Sequence, residues 1–133
     1  MTSGHTITTQ KTSQRIQVVV RGETLADTTN AVVLHETGLP ARYYLPREDV
    51  RMDLLVPTDT ASTCPFKGDA VYWTAKLDGG EVVDVAWSYP TPIAEREDIT
   101  ELICFFNERV DEIVVDGEPV AVPQTPWSEP AKT

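Results

Sequence analysis

Cysteine and histidine are both scarce: two of each in 133 residues. Cys64 and Cys104 stand at unrelated spacing, which excludes a disulfide framework and a paired-cysteine metal motif. In a reducing compartment both are free thiols. Neither a metal nor another cofactor is expected from this set. Bases are scarce as well. Eleven Lys and Arg face 21 Asp and Glu, a formal net charge of −10, so phosphate backbones and anionic lipid repel the chain. Nucleic acid and membrane surfaces are therefore not expected as partners. A homo-oligomer stays open, and so does a local basic pocket that takes an anionic small molecule. No apolar run approaches the roughly 18 residues of a membrane span. Met1 to Gln14 is polar, rich in Thr and Ser, and without an apolar signal core, which points to the cytoplasm.

What is present is a globular chain. Hydrophobic residues make up 41% and charged residues 24%, enough apolar surface for one core, and the length suits one domain. We expect a poorly ordered arm over residues 1–14, a mainly-β domain over 15–118, and an extended Pro-rich tail over 119–133 whose Trp127 can dock.

Order should begin at Ile16-Gln17-Val18-Val19-Val20, where β-branched residues favour a pleated surface. Arg21-Gly22-Glu23 turns the chain back into Thr24–Asp27. Ala31–Glu36 and Arg42–Leu45 read as strands separated by the Thr37–Pro40 turn, and Pro46 ends the second. Arg47–Val50 reads as a turn or a single helical turn. Arg51–Val56 alternates polar and apolar residues like a strand, and Pro57–Ser62 reads as polar loop. Ala70–Leu77 and Glu81–Trp87 flank Asp78-Gly79-Gly80, the clearest hairpin. Thr91 can cap a short helix with Pro92 at its first position. Beyond it, Ile99, Leu102, Ile103, Phe106 and Val110 match one helix running to Arg109. The rival, which we prefer, ends the helix at Asp98 and places strands over Leu102–Phe106 and Ile113–Val115. Asp116-Gly117 is another tight turn. The sum is a mainly-β barrel or rolled antiparallel sheet with one short helix.

Three stretches concentrate chemistry-bearing side chains. The first is Glu36-Thr37-Gly38, Pro40, Tyr43-Tyr44-Leu45-Pro46 and Asp49-Val50. The second is Cys64-Pro65-Phe66-Lys67-Gly68 with Ala70 and Tyr72-Trp73. The third is Ala86-Trp87-Ser88-Tyr89 with Pro92. In order and spacing these blocks resemble the domain-of-unknown-function family numbered 427, over roughly Val18 to Val114. Where that family has Tyr after Cys-Pro this chain has Phe66, and Phe106-Asn107 replaces a Tyr-Pro pair, so no phenol hydroxyl is available at either place. The resemblance implies a tent-like antiparallel sheet assembly similar to B-type methionine sulfoxide reductases and certain zinc-binding chaperones. Those relatives hold zinc with two cysteine pairs, which this chain lacks, so the fold is expected without structural zinc. The family has also carried a label suggesting nucleotidyl transfer. The chain has neither a Gly-Ser with a trailing acid pair nor a phosphate loop to support it.

The residues themselves leave alternatives. Cys64 is either a nucleophile activated by Lys67 or a small buried hydrophobe in a tight turn. Lys67 is a contact for an anionic ligand or an ordinary ion-paired cation. Glu36 is an acid–base group or the partner of Lys67 or Arg42. His35 points away from Glu36 on a strand and reads as a surface residue. Tyr44, Tyr72, Trp87 and Tyr89 pack a core or line a pocket with apolar walls and phenol hydrogen bonds. The expectation is a small-molecule site for a polar or anionic ligand, built from Glu36, Tyr44, Cys64, Lys67, Tyr72, Trp87 and Tyr89. The alternatives are a group-transfer or hydrolytic enzyme using Cys64 or Glu36, and a protein-interaction module.

Overall fold

A computed structural model describes residues 6–121. The strands in chain order are β1 (Ile7–Lys11), β2 (Ile16–Val20), β3 (Glu23–Thr28), β4 (Val32–Glu36), β5 (Arg42–Leu45), β6 (Leu55–Cys64), β7 (Gly68–Leu77), β8 (Gly80–Ser88), β9 (Ile103–Phe105), β10 (Glu112–Val115) and β11 (Glu118–Pro119). They form two antiparallel sheets. The larger has seven strands in the order β1-β4-β5-β9-β8-β7-β6, and the smaller has four in the order β11-β10-β2-β3. Neither a single sheet nor a closed barrel is formed; β1 and β6 are the ends of the larger sheet's order.

The core follows from strand alternation. In β2, Ile16, Val18 and Val20 are buried and pack with Leu25 of β3 and Ile113 of β10. The same aliphatic cluster takes in Leu45, Ile103, Phe105 and Ala86 of the larger sheet, so the two sheets share one core. A second cluster holds Tyr44, Trp87, Tyr89, Cys104 and Phe106. The strands expected at Leu102–Phe106 and Ile113–Val115 are present as β9 and β10, and the long helix is not. Asp116 and Gly117 have φ of 51° and 86°. This left-handed pair suits the tight return from β10 into β11.

Four expectations are corrected. The arm over residues 1–14 contains β1, which pairs with β4 from Ile7↔Glu36 to Lys11↔Val32. The backbone ladder holds it rather than burial, since Ile7 is its only apolar side chain packed on a cluster. The strand expected over Arg51–Val56 starts only at Leu55. Met52–Leu54 is a 3-10 turn, pinned by the Arg51 guanidinium on both Asp53 oxygens, 3.0 and 2.9 Å away. The loop expected over Pro57–Ser62 lies inside β6, whose register with β7 is interrupted between Pro57 and Ala61. Its Thr and Ser content reflects an exposed edge strand, where polarity discourages pairing with other chains. The short helix expected from Thr91 is a 3-10 segment over Ala94–Ile99, kinked at Arg96 and with Ile99 as its one buried residue. Its cap position falls on Ile93, and Thr91 makes no cap. With no apolar stripe to bury, a full helix has nothing to hold it. Trp127 and most of the expected tail lie outside the described residues. No helix among those described is long and apolar enough to cross a membrane.

Candidate functional site

Three connections bring the candidate residues together. Glu36 ends β4 at the turn into β5. Cys64 ends β6, and the tight turn into β7 is closed by the Lys67 N–H donating to the Cys64 carbonyl at 3.1 Å. Trp87 lies near the end of β8, and Tyr89 follows it. The turn carrying Lys67 is itself fastened: the Ile93 N–H donates to the Lys67 carbonyl at 2.9 Å, and Gly68 forms a bridge with Pro92. Gly68 has φ of +125°, and a Cβ there would stand 3.0 Å from the Pro92 Cα. Both the conformation and the close backbone approach therefore call for glycine.

All seven predicted residues line one cavity of about 420 Å³. Lys67 Nζ donates to Glu36 Oε1 at 2.6 Å, with each side chain only 10% exposed. Of the alternatives open for Glu36, the geometry is that of the Lys67 partner. Tyr44 is fully buried, and its hydroxyl accepts from the Trp87 indole N–H at 3.1 Å. Burial, with Cys104 and Tyr89 nearby, pushes the Tyr44 phenol well above its ordinary range. Tyr89 is pushed up in the same way by burial and by Cys64 and Tyr72. Both are neutral phenols that can donate or accept a hydrogen bond. Tyr72 is half-buried; its hydroxyl pairs with Ser62 Oγ at 2.8 Å and its ring stacks on Phe106, centroids 6.4 Å apart. Cys64 is half-buried on the wall, whereas Cys104 is fully buried behind it. Burial pushes the Cys104 thiol up to about 12, partly offset by Arg42.

Sequence reasoning weighed Arg42 as a partner for Glu36 and left it out of the site. Arg42 sits on β5 two residues before Tyr44, and strand alternation turns both to the same face. Its guanidinium donates to the two Glu108 carboxylate oxygens at 2.7 and 3.0 Å and to Asn107 Oδ1 at 3.1 Å. It also lies 5.3 Å from the Trp87 ring centroid and 5.9 Å from that of Phe106. Arg109 approaches Phe106 as well, at 4.2 Å. Phe66, 48% exposed, contributes to the wall. The period of two in Arg42-Tyr43-Tyr44 could have flagged Arg42; nothing in the sequence could have flagged Glu108, 66 positions away. His35 is exposed, in line with its reading as a surface residue.

A second cavity, about 560 Å³, is differently built: four carboxylates (Glu81, Asp84, Glu108, Asp111) and the arginines Arg21 and Arg109 line it with four valines. Among the described residues, no aromatic side chain and no cysteine belongs to its lining. Among the described residues, no group of three or more His, Cys, Asp or Glu converges as a metal would require.

The family described as a domain of unknown function (DUF427) matches residues 8–116, most of the chain and every residue discussed around the first cavity. The protein belongs to DUF427. The match takes in β1 from its second residue, so the first strand belongs with the rest of the DUF427 fold. No curated protein matches the chain.

Proposed function

We propose that this DUF427 protein binds a small polar or anionic molecule in the cavity formed by the Glu36–Pro46, Cys64–Trp73 and Trp87–Tyr89 blocks. One observation carries the reading. Seven residues from three separate stretches of sequence line a single hollow of about 420 Å³, within the range of small-molecule sites. The wall is aromatic, and a buried ammonium with hydrogen-bonding capacity stands in it. Lys67 and the phenols hold the polar end of the ligand, Trp87 and Phe106 its apolar body, and Glu36 orients the ammonium.

A thermal-shift screen against a broad metabolite set that includes nucleotides tests this, with Lys67→Ala alongside. A ligand at a hundred times its dissociation constant adds about 2.7 kcal/mol of stability. The expected result is a compound that stabilises the parent protein and leaves Lys67→Ala unmoved. A complete absence of shifts would return the aromatic blocks to the role of core.

The half-buried position of Cys64 on the same wall favours a second reading, a group-transfer enzyme with Cys64 as nucleophile. It predicts pH-dependent alkylation of Cys64 that the bound ligand blocks. A thiol that reacts only after denaturation rules it out.

A further inference from the structure

Three tyrosines line the first cavity, and they differ in what their hydroxyls meet. The Tyr44 oxygen accepts from the Trp87 indole N–H at 3.1 Å, and the Tyr72 hydroxyl pairs with Ser62 Oγ at 2.8 Å. Among the described residues, the Tyr89 hydroxyl has no hydrogen-bond partner, although Tyr89 is only 5% exposed. Buried polar groups are normally paired, and one that is not calls for a reason. The hydroxyl is not sealed in the core either. Among the described side chains, Arg96 Nη1 alone is both cut off from the surface and unpartnered. The Tyr89 oxygen is unpartnered but open, and the opening beside it is the cavity that Tyr89 lines.

The residue is held in place. The Tyr89 carbonyl accepts from the Glu101 N–H at 3.0 Å, and Tyr89 forms a parallel bridge with Thr100. Its ring packs in the aromatic cluster with Trp87 and Phe106. Burial keeps the phenol protonated, so it presents an O–H donor at physiological pH. Lys67 adds to this donor capacity. An ammonium has three N–H donors, and the hydrogen bond to Glu36 uses one of them. A ligand amine would set donor against donor, whereas a ligand oxygen brings the lone pairs that both groups need. Building on the reading of this cavity as a ligand site, we propose that the Tyr89 hydroxyl is its recognition group. It donates to an sp2 oxygen of the ligand, a carbonyl or carboxylate on a flat apolar body that Trp87 and Phe106 hold.

Tyr89→Phe deletes the hydroxyl and keeps the ring, which gives two readouts. No protein partner is lost, so the melting temperature of the ligand-free chain should be unchanged or raised. Binding is read by titrating acetophenone, benzoate and benzylamine into the isotope-labelled full chain and following protein amide and indole N–H resonances. The better of acetophenone and benzoate should bind the parent at least roughly ten-fold tighter than benzylamine, and lose roughly ten-fold in Tyr89→Phe. Which of the two is better tells a carbonyl from a carboxylate. A clear fall in the melting temperature of Tyr89→Phe would make the hydroxyl a structural group and overturn the proposal. Equal affinity in parent and variant, the mark of a hydroxyl that holds only water, would do the same, as would tightest binding of benzylamine. If no phenyl probe binds, the Lys67-dependent compound from the metabolite screen takes their place in the same comparison. Equal affinity there ends this inference while the ligand site stands; a blank screen ends the site itself.

Discussion

The two faces of the larger sheet are made by the same strands and differ in chemistry. On β5, Tyr43 and Leu45 pack with the aliphatic cluster, whereas Tyr44 belongs to the aromatic one. On β9, Ile103 and Phe105 face the aliphatics while Cys104 faces the aromatics. Beyond β9, Phe106 continues the aromatic side. The aliphatic face meets β2, β3 and β10 of the smaller sheet, and Val20, Val82 and Val110 of that cluster border the charged second hollow. The aromatic face borders the first hollow, beside the turn that carries Lys67. The comparison teaches that alternation alone sorts the aliphatic from the aromatic side chains here. A slip of one residue in β5 or β9 would exchange the two faces entirely.

The largest expected effect tests the aliphatic face. Phe105→Ala should destabilise the protein by about 3–5 kcal/mol in urea unfolding, with the folded fraction still binding whatever ligand the parent binds. Loss of binding at full folding would show that the faces are not separable. Next comes the charged wall of the other face. Glu108→Gln removes the carboxylate that holds the Arg42 guanidinium at 7% exposure, and a loss of roughly 3 kcal/mol is expected by the same measurement. An unchanged midpoint would mean that Arg42 finds another anion.

Gly68→Ala sharpens the comparison at the turn that carries Lys67. A non-glycine residue at φ of +125° with Pro92 Cα 3.0 Å away should cost about 1–3 kcal/mol and displace Lys67. A fall in melting temperature with weaker ligand binding is the expected pair of results. Alkaline pH probes the buried thiol of the aromatic face. Cys104 has its pKa raised from 9.0 to about 12, so above pH 9 the unfolded chain releases a proton that the folded one keeps. Stability is full below that point and is lost as pH rises towards 12, at a slope that approaches about 1.4 kcal/mol per pH unit for this one group. The raised phenols of Tyr44 and Tyr89 act in the same direction. Urea midpoints from pH 8 to 11 should decline; a flat profile would place Cys104 in contact with water. The smallest effect needs no loss of stability. A thiol reagent should modify Cys64 in the folded protein and reach the buried Cys104 only after unfolding.

Much of this was legible in the sequence, for physical reasons that also mark where legibility ends. β2, β5, β7 and β8 carry β-branched or aromatic residues between turn residues, so local preference and final structure agree. The three blocks around Glu36, Lys67 and Trp87 could be paired because each ends at a turn with Gly or Pro. β1 and β6 were misread because edge strands draw their order from ladder hydrogen bonds, which leave no apolar signature. The Ala94–Ile99 segment carried capping residues without a stripe to bury, and its caps alone suggested more helix than forms. Arg42 with Glu108 is a contact between remote positions, and no local pattern encodes it.

That pair also ties the two hollows together. Arg42 lines the first cavity and Glu108 the second, so one bidentate ion pair reaches from one lining to the other. A single substitution at Glu108 would therefore alter the lining of both hollows at once.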